Sequence, residues 1–303
     1  MKLSPIHIRD YAKLKSFFVN QRYPLCTYSL AALLAWRSER FQPCAMEWED
    51  ALVVGAPAST APERRHLILP VSPKRSHPPE ALEALAAALN YPAYWFVPEP
   101  YIDAYGRSRV ARSFCIEEQT AYRDYIYLAE DLALLRGNRY AKKRNLIHQF
   151  HRDYAARGRV AVECVSASVA DECIDFLEAW CAERLCDGIP DDDLACEREA
   201  AVNTLENMAA LGVSGLLVRV DGAISGFGLA TALTPDMGVL HFEKAFAAVK
   251  GLYQFLDQLC ASRLFNGFTY INKESDMNIP GLARAKRSYH PVRMVRAYRL
   301  RLR

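Results

Sequence analysis

The chain has 303 residues, 51% hydrophobic and 24% charged, with a formal net charge of +3. That is the composition of a folded, soluble protein, and so mild a charge means that any polyanion partner is met by a local patch. No apolar run reaches the ~18 residues that a membrane span needs, and the opening "MKLSPIHIRDYAKLKSFF" has no signal-peptide apolar region. The nine cysteines are never spaced Cys-x-x-Cys, which suits a reducing cytoplasm. Cys173, Cys181, Cys186 and Cys196 gather on two predicted helices at spacings that fit no zinc ligand set, so no metal site is expected.

In chain order, helices are expected over 8–19 and 27–38, then strands near 44–48 and 51–55 around Glu49-Asp50. "RHLILP" reads as a strand, "PEALEALAAAL" as a helix, "AYWFV" as a strand and "PEPYIDAYG" as a short helix. "SFCIEE" and "YRDYIYL" close the first half as strands. From Arg136 to Arg159 there are eight Lys or Arg against one acid, Asp153, on a helix whose Tyr140, Ile147, Phe150 and Tyr154 recur at core spacing. Further helices follow over 168–185 and about 193–210, separated by the loop "CDGIPDDD". "GLLVRV-DG-AISGFGLATAL" is a hairpin, with Asp221-Gly222 supplying the turn. "VLHFEKA" is a strand, "KGLYQFLDQLCASRLF" a helix, "GFTYINKE" a strand, "IPGLARAKRSY" a short helix and "VRMVRAYRLRL" a terminal strand.

The two halves share this element order, and the length suits about two domains of roughly 150 residues. The expected fold is mixed α/β: tandem GNAT-like domains over 1–130 and 161–303, each a splayed mixed sheet flanked by helices. The basic helix over 131–160 bridges them.

"DYIYLAEDLALLRGNRYAKKRNLIHQFHRDY", "HFEKAF" and "INKESDMNIPGLARAKRSYHPVRM" resemble the soluble family related to the C-terminal domain of phosphatidylglycerol lysyltransferases. The resemblance spans roughly 5–300. It implies a tandem GNAT fold and relatives that move an aminoacyl group from aminoacyl-tRNA to a lipid or other acceptor. The chain lacks the membrane-spanning half of the lipid synthases.

Single-sign charge on the basic helix suits a phosphate-bearing partner such as tRNA, through counterion release. Lys143 lies one turn from Ile147, so it is the base that points toward a cavity; Arg144 and Asn145 follow it. Strict alternation in "VLHFEKA" puts Val239, His241 and Glu243 on one face and Leu240, Phe242 and Lys244 on the other. In "FTYINKESD", Tyr270, Asn272 and Glu274 share a face that Lys273 opposes. "AKRSYHP" places Lys286 and Tyr289 three residues apart on one helical face. In GNAT enzymes that use acyl-CoA, a Gln/Arg-x-x-Gly-x-Gly/Ala loop holds the pyrophosphate. Here Gly251 has Ala248 and Tyr253 at the flanking positions, so a CoA donor is disfavoured, although Lys250-Gly251 remains a phosphate contact.

The expected activity is transfer of an activated aminoacyl or acyl group to an amine or hydroxyl, without a covalent enzyme intermediate. Glu243 or Glu274 is the expected base, His241 a positioning group or alternative base, and Tyr289 the proton donor. Lys143, Arg144, Asn145, Lys244, Lys250, Gly251, Asn272, Lys273 and Lys286 are assigned to substrate and phosphate binding. No cofactor is expected beyond aminoacyl-tRNA or acyl-CoA as co-substrate. The acceptor is a small molecule, a peptide or a lipid headgroup, the last being compatible with peripheral membrane contact. An acyl-CoA-dependent N-acyltransferase and a non-catalytic tRNA- or protein-binding module are the alternatives.

Overall fold

The computed structural model describes residues 2–38, 41–57, 64–185 and 192–303. Cys186, and with it residues 186–191 of the loop expected over 186–193, lies outside these residues, as does the Cys196 side chain. The first unit begins with β1 (Ser4–Pro5), α1 (Tyr11–Leu14), α2 (Leu30–Ala35), β2 (Cys44–Trp48), β3 (Ala51–Ala56) and β4 (His66–Leu67). It continues with α3 (Pro79–Leu89), β5 (Ala93–Pro98), α4 (Glu99–Tyr105), α5 (Arg107–Ser113), β6 (Phe114–Glu118) and β7 (Asp124–Leu128). Next come α6 (Ala129–Leu134), the basic helix α7 (Ala141–Asp153), β8 (Val160–Cys164), α8 (Ala170–Leu185), α9 (Asp192–Glu206) and α10 (Met208–Leu211). The chain ends with β9 (Ser214–Val220), β10 (Ala223–Thr234), β11 (Met237–Ala245), α11 (Leu252–Arg263), β12 (Tyr270–Asn272), α12 (Pro280–Arg287), β13 (Arg293–Val295) and β14 (Ala297–Leu302).

These strands make two seven-stranded sheets, ordered β1-β2-β3-β4-β5-β14-β6 and β13-β7-β12-β11-β10-β9-β8. Among the described residues each sheet has one parallel pair, β4 with β5 and β11 with β12, and each pair is joined through a helix, α3 or α11. A parallel pair needs such a crossover, and the remaining pairs are antiparallel hairpins and arms. Two mixed sheets of this kind, flanked by helices, are the expected tandem GNAT-like architecture.

The halves exchange strands. β7, from the first half, sits between β12 and β13; β14, at the end of the second, sits between β5 and β6. The terminal strand expected over 292–302 is therefore two strands in different sheets, divided at Arg296. The core is shared as well. One apolar cluster contains Leu34, Leu52 and Val97 of the first half with Trp180, Phe227 and Val239 of the second. A second cluster, built around Phe150, Leu252 and Leu256, packs α7 and α11 against the other face of the second sheet. The Asp221–Gly222 turn takes φ of +54° and +85°, the left-handed pair that the β9–β10 hairpin demands.

Candidate active site

The parallel pairing of β11 with β12 covers Met237↔Tyr270, Gly238↔Ile271 and Val239↔Asn272, then stops. β11 runs on to Ala245, so beyond Val239 the two strands leave a gap between them. Side chains span it. At this point β10 also slips by one residue against β11: Leu229 lies opposite Phe242 but Ala230 opposite Leu240. His241 is the extra residue of a β-bulge, and the bulge re-aims the side chains beyond it. The expected sharing of one face by His241 and Glu243 is thereby overturned. His241 points with Val239 toward α2, whereas Glu243 points toward α11 with Lys273. Strict alternation does hold past β12: Asn272 and Glu274 face one way and Lys273 the other.

On the α2 side, His241 is buried and its Nδ1 lies 2.9 Å from Oε1 of Glu274. Its Nε2 lies 2.8 Å from Oγ1 of Thr231 and 3.3 Å from Oγ of Ser29, the N-cap of α2. Glu274 has left-handed backbone, φ +56°, and its N–H donates to Oδ1 of Asn272 at 2.6 Å. A non-glycine residue in that region is held there by its surroundings. Fully buried Asn272 donates from Nδ2 to the Pro24 carbonyl (2.8 Å) and to Oδ2 of Asp124 (2.7 Å). Asp124 also accepts from the Cys26 N–H at 2.6 Å, yet burial still pushes its carboxyl up to about 6. Burial, and then the Asp124 charge, push the Cys26 thiol well above its ordinary value, so it stays protonated. Lys286 donates to the Lys273 carbonyl (2.6 Å) and the Ser275 carbonyl behind Glu274, and burial lowers its ammonium pKa. Pro24 belongs also to the wall of an open cleft of about 510 Å³, lined further by Arg22, Thr234, Met237 and Arg293.

On the α11 side, one ammonium serves two carboxylates. Lys273 Nζ lies 2.7 Å from Glu243 and 2.8 Å from Asp257. Burial, with the Asp257 charge next, raises Glu243 to about 7, because two anions cannot both be neutralised by one cation. Tyr289 closes this side, its phenol held well above the ordinary value by burial. The Nζ of Lys143 stands 3.7 Å over the Tyr289 ring and donates to Ser288 Oγ at 2.7 Å; burial lowers its pKa. Tyr289 lies past the end of α12 at Arg287, so it shares no helical face with Lys286, contrary to expectation.

The remaining predicted residues scatter. Arg144 points back to the carbonyls of Leu135 and Gly137, where it ties α6 to α7. Asn145 and Lys250 are exposed. Lys244 lies on the α2-side face, 2.6 Å from Glu197 and 4.3 Å above the Trp180 ring. Gly251 precedes α11 at φ +84°, and a Cβ there would sit 2.2 Å from the Leu146 carbonyl of α7. The basic helix thus lies across the start of α11, with Phe150 stacked 4.8 Å from Phe255. On α7 and the segments flanking it, four bases are paired among the described residues: Arg136 with Glu130, Arg139 with Asp131, Arg152 with Asp153 and Arg159 with Asp221. Ser29, Thr231, Asp124, Cys26 and Asp257 were missed, because nothing in their local sequence marks them as partners of β11 and β12.

A family model described as "Phosphatidylglycerol lysyltransferase, C-terminal" matches residues 25–301. The chain belongs to this family. A conserved protein of unknown function from Bacteroides thetaiotaomicron VPI-5482 is 27% identical, with a TM-score of 0.89 over 100% of both chains. The C-terminal domain of a protein described as a lysylphosphatidylglycerol synthetase, from Agrobacterium fabrum, is 14% identical, with a TM-score of 0.63 over 97% of this chain and 91% of its own. A tandem GNAT protein from the clavulanic acid biosynthesis pathway is 11% identical, with a TM-score of 0.46 over 98% of this chain and 97% of its own. No curated protein matches the chain. Among the described residues, no helix is long and apolar enough to cross a membrane.

Proposed function

We propose that the chain is an aminoacyltransferase whose chemistry takes place at the gap between β11 and β12. The observation that carries this reading is the imidazole of His241, oriented at Nδ1 by Glu274, with Nε2 held, among the described residues, only by two neutral hydroxyls. A base whose far nitrogen is fixed by a carboxylate keeps one tautomer and one orientation. In the proposed step, the acceptor nitrogen or oxygen forms a bond to the ester carbonyl carbon of the donor. Nε2 takes the proton that the acceptor loses. The ester C–O bond then breaks, and the departing hydroxyl recovers that proton from the imidazolium. No covalent enzyme intermediate is required. Bringing the two bound substrates together supplies the main rate gain.

In this reading Glu243, Lys273 and Asp257 form the electrostatic floor beneath the gap, and Tyr289 and Lys143 seal it. A phosphate-bearing acceptor, such as a lipid headgroup, meets Arg22 and Arg293 in the adjoining cleft. The donor is aminoacyl-tRNA in preference to acyl-CoA. What supports this is the loop before α11, where Gly251 has Ala248 three before it and Tyr253 two after it in place of the residues that hold a pyrophosphate. The deciding experiment offers radiolabelled aminoacyl-tRNA and radiolabelled acyl-CoA in parallel to the purified protein with a lipid extract. Transfer from tRNA alone is expected. Transfer from CoA alone would select an acyl-CoA N-acyltransferase, and transfer from neither at tight tRNA binding would select a non-catalytic module.

A further inference from the structure

The first unit holds a cluster that the transfer chemistry leaves aside. Glu49 and Asp50 form the turn between β2 and β3, with Glu49 left-handed at φ +54°, and His77 approaches from the segment before α3. One ligand atom from each of the three lies within 4.8 Å of the other two. His77 is only 3% exposed, yet neither Nδ1 nor Nε2 has a hydrogen-bond partner among the described residues. Buried polar atoms are almost always paired, because leaving them unpaired costs free energy. The Trp48 ring, 4.7 Å away between centroids, packs against the imidazole. Arg75 spans the two carboxylates, with Nε 3.2 Å from Asp50 and Nη2 on Glu49. Its side chain is 55% exposed and that of Glu49 51%, so this ion pair contributes little and is readily exchanged for another cation.

We propose that Glu49, Asp50 and His77 bind a divalent transition-metal ion of the zinc class, with Arg75 swinging out as the ion enters. Ligand bonds of about 2.0–2.2 Å require the three side chains to draw together slightly, which an exposed turn permits. One imidazole with two carboxylates suits Zn²⁺ or Co²⁺, whereas Ca²⁺ and Mg²⁺ prefer oxygen throughout. Three protein ligands leave a coordination position for water on the solvent side. The ion would fasten the β2–β3 turn to the segment that leads into α3.

The test is titration of the metal-stripped, full-length protein with Co²⁺, followed by visible absorption. One equivalent is expected, with the weak bands of an oxygen–nitrogen set and no thiolate charge-transfer band. His77→Gln and Asp50→Asn should each weaken binding by about tenfold or more. Arg75→Ala should strengthen it several-fold by removing the competing cation, which adsorption elsewhere on the surface would not do. Arg75 is exposed, so its variant folds and still decides the matter should His77→Gln fail to fold. A thiolate band, the absence of saturable binding, or wild-type affinity in Arg75→Ala would overturn the proposal.

Discussion

The two units open the same gap and fill it differently. In the first, parallel pairing rests on Leu67 opposite Tyr94, and two residues beyond these stand Leu69 and Phe96. In the second, pairing ends at Val239 opposite Asn272, and two residues beyond stand His241 and Glu274. Phe96 and Glu274 even share left-handed backbone, at φ +54° and +56°. The first gap is plugged by Tyr28, whose hydroxyl accepts from the Leu69 N–H and donates to the Phe96 carbonyl, each at 3.2 Å. The second is spanned by ionisable groups, His241 with Glu274 on one side and Lys273 with Glu243 on the other. The architecture supplies the opening; the residues two positions past the last pair decide whether an aromatic plug or ionisable groups fill it.

The largest expected effect comes from cutting into the wall of the first gap beside Tyr28. Leu69→Ala should cost about 2–5 kcal/mol of stability, since Leu69 is fully buried and its removal leaves a cavity. Turnover per folded molecule should be unchanged. Urea unfolding read beside the transfer assay checks both, and a folded Leu69→Ala without turnover would give the first gap a role in the chemistry.

A smaller effect separates the two sides of the second gap. Glu243 titrates near 7 instead of 4.5, so its burial cost is absent below about 4.5 and grows as the pH rises through 7. The Glu243 contribution to stability should therefore fall across that window, since each tenfold change in proton affinity is worth about 1.4 kcal/mol. Glu243→Gln stays neutral throughout and should flatten the decline. Melting temperatures from pH 4 to pH 8 are the measurement, and curves of equal slope would contradict the placement of Glu243.

The smallest effect concerns α7. Lys142 of α7 and Arg157 in the turn that follows it have no hydrogen-bond or ion-pair partner among the described residues, so they are the bases open to the proposed anionic donor. Lys142→Glu with Arg157→Glu should make the salt dependence of tRNA binding shallower by about one unit per charge and leave the fold intact. An unchanged slope would make α7 a strut alone.

What the sequence disclosed was local. The Asp221-Gly222 hairpin, the amphipathic α11 and the opposed faces of Asn272 and Lys273 follow from turn chemistry and from periods of 3.6 and 2. An inserted residue leaves no mark on a period, so the bulge at His241 was illegible and its alternation was misread. The exchange of β7 and β14 was hidden for a related reason. "VRMVRAYRLRL" is one continuous extended pattern, and nothing in it shows that Arg296 divides two sheets. The stretch from Arg136 to Arg159 looked single-signed because Glu130, Asp131 and Asp221, the counter-ions of Arg136, Arg139 and Arg159, lie outside it. Ser29 and Asp124 reach the gap from the other half of the chain, as His77 reaches Glu49 and Asp50 from across a loop. Only folding puts them together.

The central claim is that His241 and Glu274 act as one unit at the gap. It is tested most directly by a double-mutant cycle on transfer rate, comparing His241→Gln, Glu274→Gln and the pair. Loss of a positioned general base costs on the order of 10²–10⁴-fold, and groups that act as a unit are strongly non-additive. His241→Gln should reach that loss, Glu274→Gln should lose less, and the double variant should be no slower than His241→Gln alone. Losses that multiply in the double variant, or full transfer by His241→Gln, would contradict it.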